Sequence, residues 1–394
     1  MLLPTIDDID IKDKKVLIRL DFDFLFQRGF DFTDNHELNI VIPTIKKLID
    51  ENARIIIAAN YSKLKNKKSA EYSMENFAAA FCEVLDCEVY LTEEKVGQVV
   101  NKISQDMVPG GILILNNFSG LADENSNNPD FARKLSEISD LYINEAFTLS
   151  HMELASTTSI LNYFERGEFC FGSNFINEFN MMKSLHDDKH PFAIVINTDL
   201  IGEGIEIIDK LIDEIDKVFL IGEFSNIILN ISKDTVKFDT PLYLKDKIEC
   251  LIKSITVRKI DLLNAVDYFI EGENGNPKLV NKDLLKKDSK VLDIGSSTGN
   301  LFSESLSDVK KLVWFGPLPC KSESSFQGGS SIIFETIKDM NIFSLGLDKD
   351  PTGKYSELSM TQNFTYISQC YETYLEYIKK EELPVLSFIE GKFK

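Results

Sequence analysis

The sequence predicts a doubly wound α/β protein with two parallel-sheet, Rossmann-like domains joined by a connecting helix. Three observations predict this class. Short apolar runs of strand length recur along the chain, amphipathic segments of helix length separate most of them, and the alternation pauses once, between about residues 150 and 191. Continuous apolar strands that alternate with helices are typical of parallel sheets covered on both faces. One such sheet is expected on each side of the pause.

Strand-like runs occur in both halves of the chain, and each has the length and apolar content of a buried strand. The runs are VLIRLDF, RIIIAAN, GILILNN and LYINEAF in the first half, and FAIVINT, KVFLIGE, DYFIEG, KVLDIGS, KLVWFG and IFSLGL in the second. Between them, apolar side chains recur with helical spacing and predict helices over residues 43–52, 74–85 and 205–215. We expect all these runs to belong to the two parallel sheets, with ligands at the carboxyl ends of the strands.

The pause supplies the domain bounds. Its last part, GSNFINEFNMMKSLHDDKHP, predicts a helix that ends in polar residues before Pro191 restarts the strands. We therefore predict an N-terminal domain over residues 1–170, a connecting helix over 171–190 and a C-terminal domain over 191–383. The tail, residues 384–394, is expected to pack back on the N-terminal domain.

Composition excludes several classes of function. The formal charge of the 394-residue chain is −20, with 63 acidic and 43 basic residues, so a nucleic acid would be repelled. The six cysteines form no C-x-x-C pair and no Cys/His cluster with zinc spacing, which is typical of reduced thiols in an intracellular protein. The N-terminus lacks the features of a signal peptide, and no apolar span of about 18 residues occurs. We expect a cytoplasmic protein with no nucleic-acid or membrane partner.

Two motifs resemble known ligand sites, and for each a simpler interpretation is favoured. VLDIGSSTGNL, residues 291–301, is similar to the first motif of S-adenosylmethionine methyltransferases, but that motif usually opens its domain and only residues 302–394 follow it here. His186 and His190 stand at i and i+4 in HDDKH, a spacing that a metal could use. A solvated helix end before a proline explains them better, and we identify no metal-binding residues.

Three polar residues follow predicted strands at the edge where ligands bind. Asp21 and Asp23, in RLDFDF, lie on one face because their spacing is two. They could bind a substrate hydroxyl or cap a turn, and the sequence leaves both interpretations open. His151 follows LYINEAF at a strand's carboxyl end. Taken alone, such a histidine is more often structural than functional.

The stretch FTYISQCYETYLEYIKKEELP, residues 364–384, has the outline of a phosphate site without its glycines. A strand-like run passes through Ser368 directly into a helical pattern, a junction where free N–H groups commonly bind phosphate. Gln369, Cys370, Tyr371 and Glu372 occupy the turn. Glycine is scarce throughout, with 20 of 394 residues against a usual share of about 7%. The residues alone leave open whether the junction is a phosphate site or the filled-in remains of one. We expect Ser368 to cap the helix.

Fragments in order along the whole chain resemble the phosphoglycerate kinase family. KKVLIRLDFDFLF resembles that family's first strand, and VIPTIKKLIDENARIIIAANYSKL resembles its LPTI helix and the strand that ends in SHLGRP. PGGILILNNFSG parallels PGDVLLLENLRF, and DLYINEAFTLSHMELAST parallels DVYVNDAFGTAHRAHAST. In the second half, DIGSST is similar to DIGPKT, LVWFGPL to VVWNGPMG and FQGGS to FxxGT. The resemblance implies the phosphoglycerate kinase fold, with 3-phosphoglycerate on the N-terminal domain, Mg-ATP or Mg-ADP on the C-terminal domain, and phosphoryl transfer on hinge closure.

The resemblance also shows where this chain departs from the family. Phosphoryl transfer is catalysed almost wholly by positioning and charge neutralisation, so cations and backbone amides are the catalyst. Five of the family's basic positions fall on residues without a positive charge: Glu37, Ser119, Met152, Leu200 and Gly204. The last two stand where the family has phosphate-contacting lysines. The family's glycine-rich TGGGAS falls on QCYETY, residues 369–374, so the resemblance implies a phosphate site closed by its own side chains. The residues that remain on the implied substrate side are Asp21, Asp23, Asn60, Lys63 and His151. The residues that remain on the implied nucleotide side are Gly222, Asn226, Gly316, Pro317, Glu323, Gly346 and Asp348.

These departures predict a loss of ordinary kinase activity. A preorganised donor typically supplies a factor of about 10² to 10³ in rate. An arginine at the transferred phosphoryl group supplies about 10³ to 10⁵. We therefore predict a pseudoenzyme with a scaffold, regulatory or altered binding role. A protein partner is one candidate for that role, and we expect no cofactor. The alternative is a divergent active phosphoglycerate kinase of glycolysis that uses Mg-ATP or Mg-ADP. The resemblance implies a monomer in either case.

Overall fold

The computed structural model describes the residues 2–26, 36–62, 74–198, 200–221, 224–225, 228, 242–272, 275–285, 289, 291–317, 328–347, 363–368 and 370–393. Of residues 36, 37, 242 and 393 only the backbone is described. The chain divides into two compact units, Met1–Asn180 with Lys380–Lys394, and Met181–Lys379. No helix of the described ranges has both the length and the apolar content needed to cross a membrane.

The first unit is built on a six-stranded parallel sheet. Its strands are β1 (Lys15–Asp21), β2 (Arg54–Asn60), β3 (Val89–Leu91), β4 (Ile112–Ile114), β5 (Leu141–Asn144) and β6 (Phe169–Phe171). Its helices are α1 (Phe22–Leu25), α2 (His36–Asp50), α3 (Met74–Leu85), α4 (Gln98–Asp106), α5 (Ala122–Asn125), α6 (Pro129–Ser136) and α7 (Ser173–Lys183). The strand order is β3-β4-β2-β1-β5-β6. β1 and β2 lie in the middle and are buried on both faces, which explains their unbroken apolar sequences.

An aromatic cluster packs helices onto this sheet. The rings of Phe22 and Phe77 stack with 4.4 Å between centroids, and the ring of Phe26 meets that of Phe77 edge to face at 4.6 Å. All three side chains are fully buried. Because Phe22 directly follows β1, this packing fixes the position of the strand's carboxyl end.

The second unit has a six-stranded parallel sheet of its own. Its strands are β7 (Phe192–Asn197), β8 (Lys217–Ile221), β9 (Asp261–Asn264), β13 (Lys311–Phe315), β14 (Phe343–Leu347) and β15 (Tyr366–Ser368), in the order β15-β14-β13-β7-β8-β9. Its helices are α8 (Ile201–Leu211), α9 (Leu242–Arg258), α10 (Ser296–Ser305), α11 (Gly329–Asp339) and α12 (Tyr371–Lys380). The fold-class prediction of two parallel-sheet α/β domains is confirmed by these two sheets.

One part of the strand assignment is wrong. The runs DYFIEG and KVLDIGS were expected in the parallel sheets, but they form β10 (Asp267–Glu271) and β12 (Val291–Ile294) of a separate three-stranded sheet. The third strand of this sheet is β11 (Pro277–Asn281). The central strand β10 pairs with β11 and with β12, and both pairings are antiparallel. The buried side chains of Tyr268 and Val280 anchor this sheet in the core of the unit, so its strands carry apolar sequences like those of the parallel sheet.

The last helix of the chain, α13 (Pro384–Phe393), belongs to the first unit. Lys392 Nζ donates to the carbonyl oxygen of Phe164 at 2.6 Å and to that of Leu161. Val385 and Ile389 are buried on the same helix. Apolar burial and these two hydrogen bonds hold the tail against the N-terminal part of the chain.

Candidate functional site

A polar cluster lies at the carboxyl ends of β1 and β2. Asp21 ends β1, pairs in register with Asn60 at the end of β2, and is only 8% exposed. Asn60 Nδ2 donates to Asp21 Oδ1 at 3.0 Å and to Asp23 Oδ2 at 3.1 Å. The pairing of two strand ends therefore brings both predicted aspartates and the predicted asparagine together. We call Asp21, Asp23, Asn60, Ser62 and Thr148 the strand-end cluster.

The carboxylates of this cluster are occupied by donors of the protein itself. Thr148 Oγ1 donates to Asp21 Oδ2 at 2.7 Å, and the backbone N–H of Asp23 donates to Asp21 Oδ1 at 3.0 Å. Ser62 donates to Asp23 Oδ1 through its backbone N–H and its hydroxyl, both at 2.8 Å. Asp21 is the N-cap of α1, so turn capping, one of the two interpretations left open by the sequence, describes its contacts.

Burial raises the pKa of Asp21, and the hydrogen bond from Thr148 opposes that shift. Arg19 reaches the cluster through Asn60, because its Nη1 donates to Asn60 Oδ1 at 3.0 Å. Its guanidinium is 1% exposed, lies 3.6 Å from the buried carboxylate of Glu124, and donates from Nε to Ser156 Oγ at 2.7 Å. The guanidinium of Arg19 is therefore buried, and its charge is balanced by that of Glu124.

Two of the other predicted residues of the first unit, Ser119 and Met152, carry no positive charge. Ser119 is half-buried, and its N–H donates to Asn117 Oδ1 at 2.9 Å. The apolar side chain of Met152 is 41% exposed. His151 is half-buried in the turn after the 3-10 helix Phe147–Leu149. Lys63 and the side chain of Glu37 lie outside the described residues.

In the second unit, the half-buried carboxylate of Glu203 lies at the start of α8. Glu203 is in the first turn of this helix. Its Oε1 accepts from Thr198 Oγ1 at 3.1 Å and from the hydroxyl of Tyr371 at 2.7 Å. Tyr371 is the first residue of α12 and is 3% exposed. Burial, and then the bond to Glu203, raise the pKa of Tyr371, so it acts as a hydroxyl donor. A carboxylate therefore occupies the positive end of the helix dipole.

Two predicted positions on α8 have structural explanations. Leu200 is the N-cap of the helix, is 56% exposed and makes no side-chain cap. Gly204 is buried, and a Cβ atom there would lie 2.7 Å from Cε1 of the fully buried Phe224. Any side chain at position 204, a lysine included, would require the Phe224 ring to move.

The retained glycines of this unit also have packing reasons. Gly316 has φ +98°, and a Cβ atom there would lie 1.8 Å from the carbonyl oxygen of Asn197. Pro317 contacts the same residue, because its carbonyl oxygen accepts a hydrogen bond from Asn197 Nδ2 at 2.8 Å. In β14, a Cβ atom on Gly346 would come within 3.3 Å of Ile367 Cγ1. Gly222, Asn226, Glu323 and Asp348 lie outside the described residues.

The junction between β15 and α12 is filled by buried side chains. Ser368 Oγ accepts from the N–H of Cys370 at 3.0 Å, and Cys370 is 3% exposed. The helix begins at Tyr371, so Ser368 orders the turn before the helix, and it is Cys370 that precedes the first helical residue. Glu372 is exposed in the first turn, and Gln369 lies outside the described residues.

Polar groups of the DIGSST and HDDKH motifs have partners within the protein. The end of the DIGSST stretch bonds to Asp267 of β10, whose Oδ1 accepts from Thr298 N at 2.8 Å and whose Oδ2 accepts from Ser297 N at 3.0 Å. His186 Nδ1 lies 2.9 Å from Glu214 Oε1, and His190 Nδ1 lies 2.7 Å from Asp216 Oδ2. The two histidines thus have different partners. Within the described part of the chain, no group of three or more potential ligands could hold a metal ion.

Sequence reasoning missed Glu203, Thr198, Ser62 and Thr148. A glutamate in the first turn after a strand end is a detectable signal for Glu203, because carboxylates favour that position. Its link to Tyr371 joins residues 168 positions apart, which no local pattern indicates.

Comparisons with known proteins agree with the sequence resemblance. The family model described as phosphoglycerate kinase matches residues 6–381. A protein named phosphoglycerate kinase from Clostridium botulinum (strain 657 / Type Ba4) is 26% identical over 397 residues, covering 98% of each chain. One from Desulfosudis oleivorans is 25% identical over 400 residues, covering 98% of this chain and 99% of that one. The solved phosphoglycerate kinase of Coxiella burnetii has a TM-score of 0.81 at 19% identity and covers 100% of both chains. That of Pyrococcus horikoshii has a TM-score of 0.81 at 20% identity and covers 98% of both.

Proposed function

The chain belongs to the phosphoglycerate kinase family, and from this premise we propose that it lacks the family's ordinary kinase activity and has a scaffold, regulatory or altered binding role. The observation that carries the proposal is the hydrogen bond from Tyr371 to Glu203. It joins the stretch that replaces the family's Gly-rich loop to the helix on which the family's phosphate-contacting lysines would fall.

The charge of Glu203 supports this proposal directly. A phosphate at the start of α8 would approach a carboxylate that two hydroxyl groups already hold in place. At 4 Å and an effective dielectric constant of about 20, two like unit charges repel by about 4 kcal/mol. The N-terminus of a helix attracts anions by a smaller amount, about 0.3–1 kcal/mol at an exposed site. Repulsion is therefore the larger effect at this helix end.

The strand-end cluster supports the same conclusion on the substrate side. Asp21 and Asp23 place two carboxylates beside each other, while the guanidinium of Arg19 is buried against Glu124. An anionic substrate such as 3-phosphoglycerate would need cations here, and the resemblance places Ser119 and Met152 at two of the cationic positions. Transition-state stabilisation of a transferring phosphoryl group requires such charges.

A coupled assay with 3-phosphoglycerate and ATP tests the loss of activity. An active relative assayed under the same conditions serves as the control. We expect turnover below that of the control by a factor of at least about 10³, the contribution of one arginine at a transferred phosphoryl group. Turnover within tenfold of the control would reject the proposal.

A second candidate is a divergent active kinase that converts ATP and 3-phosphoglycerate to ADP and 1,3-bisphosphoglycerate. The contact between Asp21 and Asn60 favours it, because these strand-end residues remain together where the family binds its substrate. Lys63 would then supply charge, and Mg-ATP or Mg-ADP would bind the second unit. Turnover that survives both Asp21→Asn and Lys63→Ala would exclude this substrate site.

Ligand binding without turnover is measured separately. A thermal-shift titration with ATP, ADP and 3-phosphoglycerate should give about 2.7 kcal/mol of stabilisation at a hundredfold excess over the dissociation constant if a site survives. Stabilisation by one ligand would assign an altered binding role. The absence of any shift would leave a protein partner as the role to be tested.

A further inference from the structure

The carboxyl group of Glu145 is buried against uncharged hydrogen-bond donors. Glu145 directly follows β5 and is 2% exposed. Its carboxylate oxygens accept hydrogen bonds from three uncharged donors: Thr44 Oγ1 at 2.7 Å, Asn174 N at 3.3 Å and Phe175 N at 3.1 Å. Within the described part of the chain, this carboxyl group makes no ion pair. An ionised carboxylate in such a place has a large desolvation cost.

The position of Glu145 connects two helices of the first unit. Asn174 and Phe175 are the second and third residues of α7, and their N–H groups have no partner within the helix. Thr44 lies on α2, is 1% exposed, and its Oγ1 accepts from the N–H of Ser173, the first residue of α7, at 3.1 Å. Gly172 makes room for the side chain, because a Cβ atom there would lie 2.1 Å from Glu145 Oε2.

Among the described residues, the charged and titratable side chains of the surrounding elements form no hydrogen bond or ion pair with this carboxyl group. Arg19 of β1 pairs with Glu124, and its carbonyl accepts the N–H of Glu145 at 3.0 Å. Lys47 of α2 pairs with Asp7 of the 3-10 helix Ile6–Asp8, which also carries Asp8. Three further groups are the thiol of Cys170 on β6, whose pKa is raised by burial and then by Glu145, buried Glu178 on α7, and Lys183 at the end of α7.

We propose that Glu145 is a proton-controlled latch between α2 and the first turn of α7, closed when its carboxyl group is protonated and opened when that group ionises. In the acid form, the new O–H at Oε1 donates to Thr44 Oγ1, and the Thr44 hydroxyl turns to Ser173 Oγ at 3.2 Å. Oε2 still accepts from Phe175 N. The proton comes from solvent and forms the O–H bond at Oε1; no other covalent bond changes, and the Thr44 hydroxyl exchanges its acceptor from Glu145 to Ser173.

The pH range of the latch follows from burial. Burial raises the pKa of Glu145 from 4.5 to about 7, against the hydrogen bonds from Thr44, Phe175 and Asn174. A group with a raised carboxyl pKa binds its proton more tightly in the closed state than in the open state. Opening of the first turn of α7 therefore becomes more favourable as pH rises through neutrality, by on the order of tenfold between pH 6 and pH 8. This device is independent of kinase activity.

Hydrogen exchange of the full-length protein tests the latch. Exchange of peptides covering residues 173–180 would be followed by mass spectrometry from pH 6 to pH 8 and corrected for the intrinsic pH dependence. We expect the corrected protection of the wild type to fall on the order of tenfold over this range. Glu145→Gln keeps a donor toward Thr44 and cannot ionise, so its protection should stay constant.

Two controls keep the test decisive. Glu137→Gln neutralises an exposed carboxylate of the same unit and should retain the wild-type pH dependence. If Glu145→Gln does not fold, residues 296–305 of α10 serve as an internal reference in the wild type, and only residues 173–180 should lose protection. Constant protection of residues 173–180 from pH 6 to pH 8, or an equal loss in Glu145→Gln, would overturn the proposal.

Discussion

The hydroxyl of Tyr371 donates a 2.7 Å hydrogen bond to Oε1 of Glu203 and thereby links the first turns of α12 and α8. The two helices follow different strands, β15 and β7. Both strands belong to one parallel sheet, so their carboxyl ends lie at the same edge. The first turns of α8 and α12 are thus joined by a donor and an acceptor of the protein itself.

Tyr371→Phe should destabilise the second unit. The substitution removes a hydrogen bond to a charged group while it keeps the ring, so we expect a loss of about 1.5–3 kcal/mol in the free energy of unfolding. Tyr243→Phe is the matched control, because Tyr243 is 63% exposed, and should change stability by less than about 0.5 kcal/mol. Urea unfolding measures both. Equal effects of the two variants would contradict a stabilising role for the Tyr371–Glu203 bond.

Restoring glycines at residues 369–373 should not restore kinase activity by itself. The graft toward TGGGA consists of Gln369→Thr, Cys370→Gly, Tyr371→Gly, Glu372→Gly and Thr373→Ala. Leu200 and Gly204 would still lack the charge of the lysines that the resemblance places there, and the Glu203 carboxylate would remain at the start of α8. The coupled assay should show turnover as low as that of the wild type. A gain of more than about 10³, the scale of one transition-state contact, would mean that the closed loop alone blocks the reaction.

Two glycines of α8 should respond oppositely to alanine. At Gly204 the new Cβ atom would lie 2.7 Å from the Phe224 ring, so Gly204→Ala should cost about 1–3 kcal/mol. At Gly202 no atom of the described residues beyond the helix's own backbone and the two chain neighbours lies within 4 Å of a Cβ, so Gly202→Ala should stabilise the helix by about 0.5–1 kcal/mol. Chemical unfolding of the pair checks both signs. A neutral Gly204→Ala would show that Phe224 can move and that position 204 could accept a side chain.

Asp293 should make stability fall as pH rises. Its Oδ2 accepts from Ser330 N at 3.2 Å and its Oδ1 from Ile294 N at 2.8 Å, and burial raises the pKa of the carboxyl group to about 6. The folded state therefore holds this proton more tightly than the unfolded state, and the contribution to stability is lost between the ordinary pKa of 3.8 and about 6.

The matched variant for Asp293 is Asp293→Asn. The unfolding free energy of the wild type, relative to that of the variant, should be about 1 kcal/mol lower at pH 7 than at pH 5. Urea titrations at the two pH values measure this difference. A difference of the opposite sign would mean that hydrogen bonds to the ionised form outweigh its burial.

The candidate site was only partly predictable from the sequence. Asp21, Asp23 and Asn60 could be placed at one sheet edge because each follows an apolar run, and parallel strands end together. Their hydrogen bonds to Ser62 and Thr148 could not, because these depend on loop conformation. Similarly, the need for glycine at position 204 is visible only from the ring of Phe224.

The sequence by itself determined the α/β class, the two parallel sheets and the family, because strand and helix periodicity and the order of motifs are local properties of the chain. Only the tertiary structure decided that β10, β11 and β12 form an antiparallel sheet, since an apolar run does not specify its neighbours. It also decided that Glu203 meets Tyr371 and that Glu145 lies among uncharged donors between Thr44 and α7. The physical reason is common to all three: a side chain's partners depend on where distant strands end, and desolvation depends on everything packed around it.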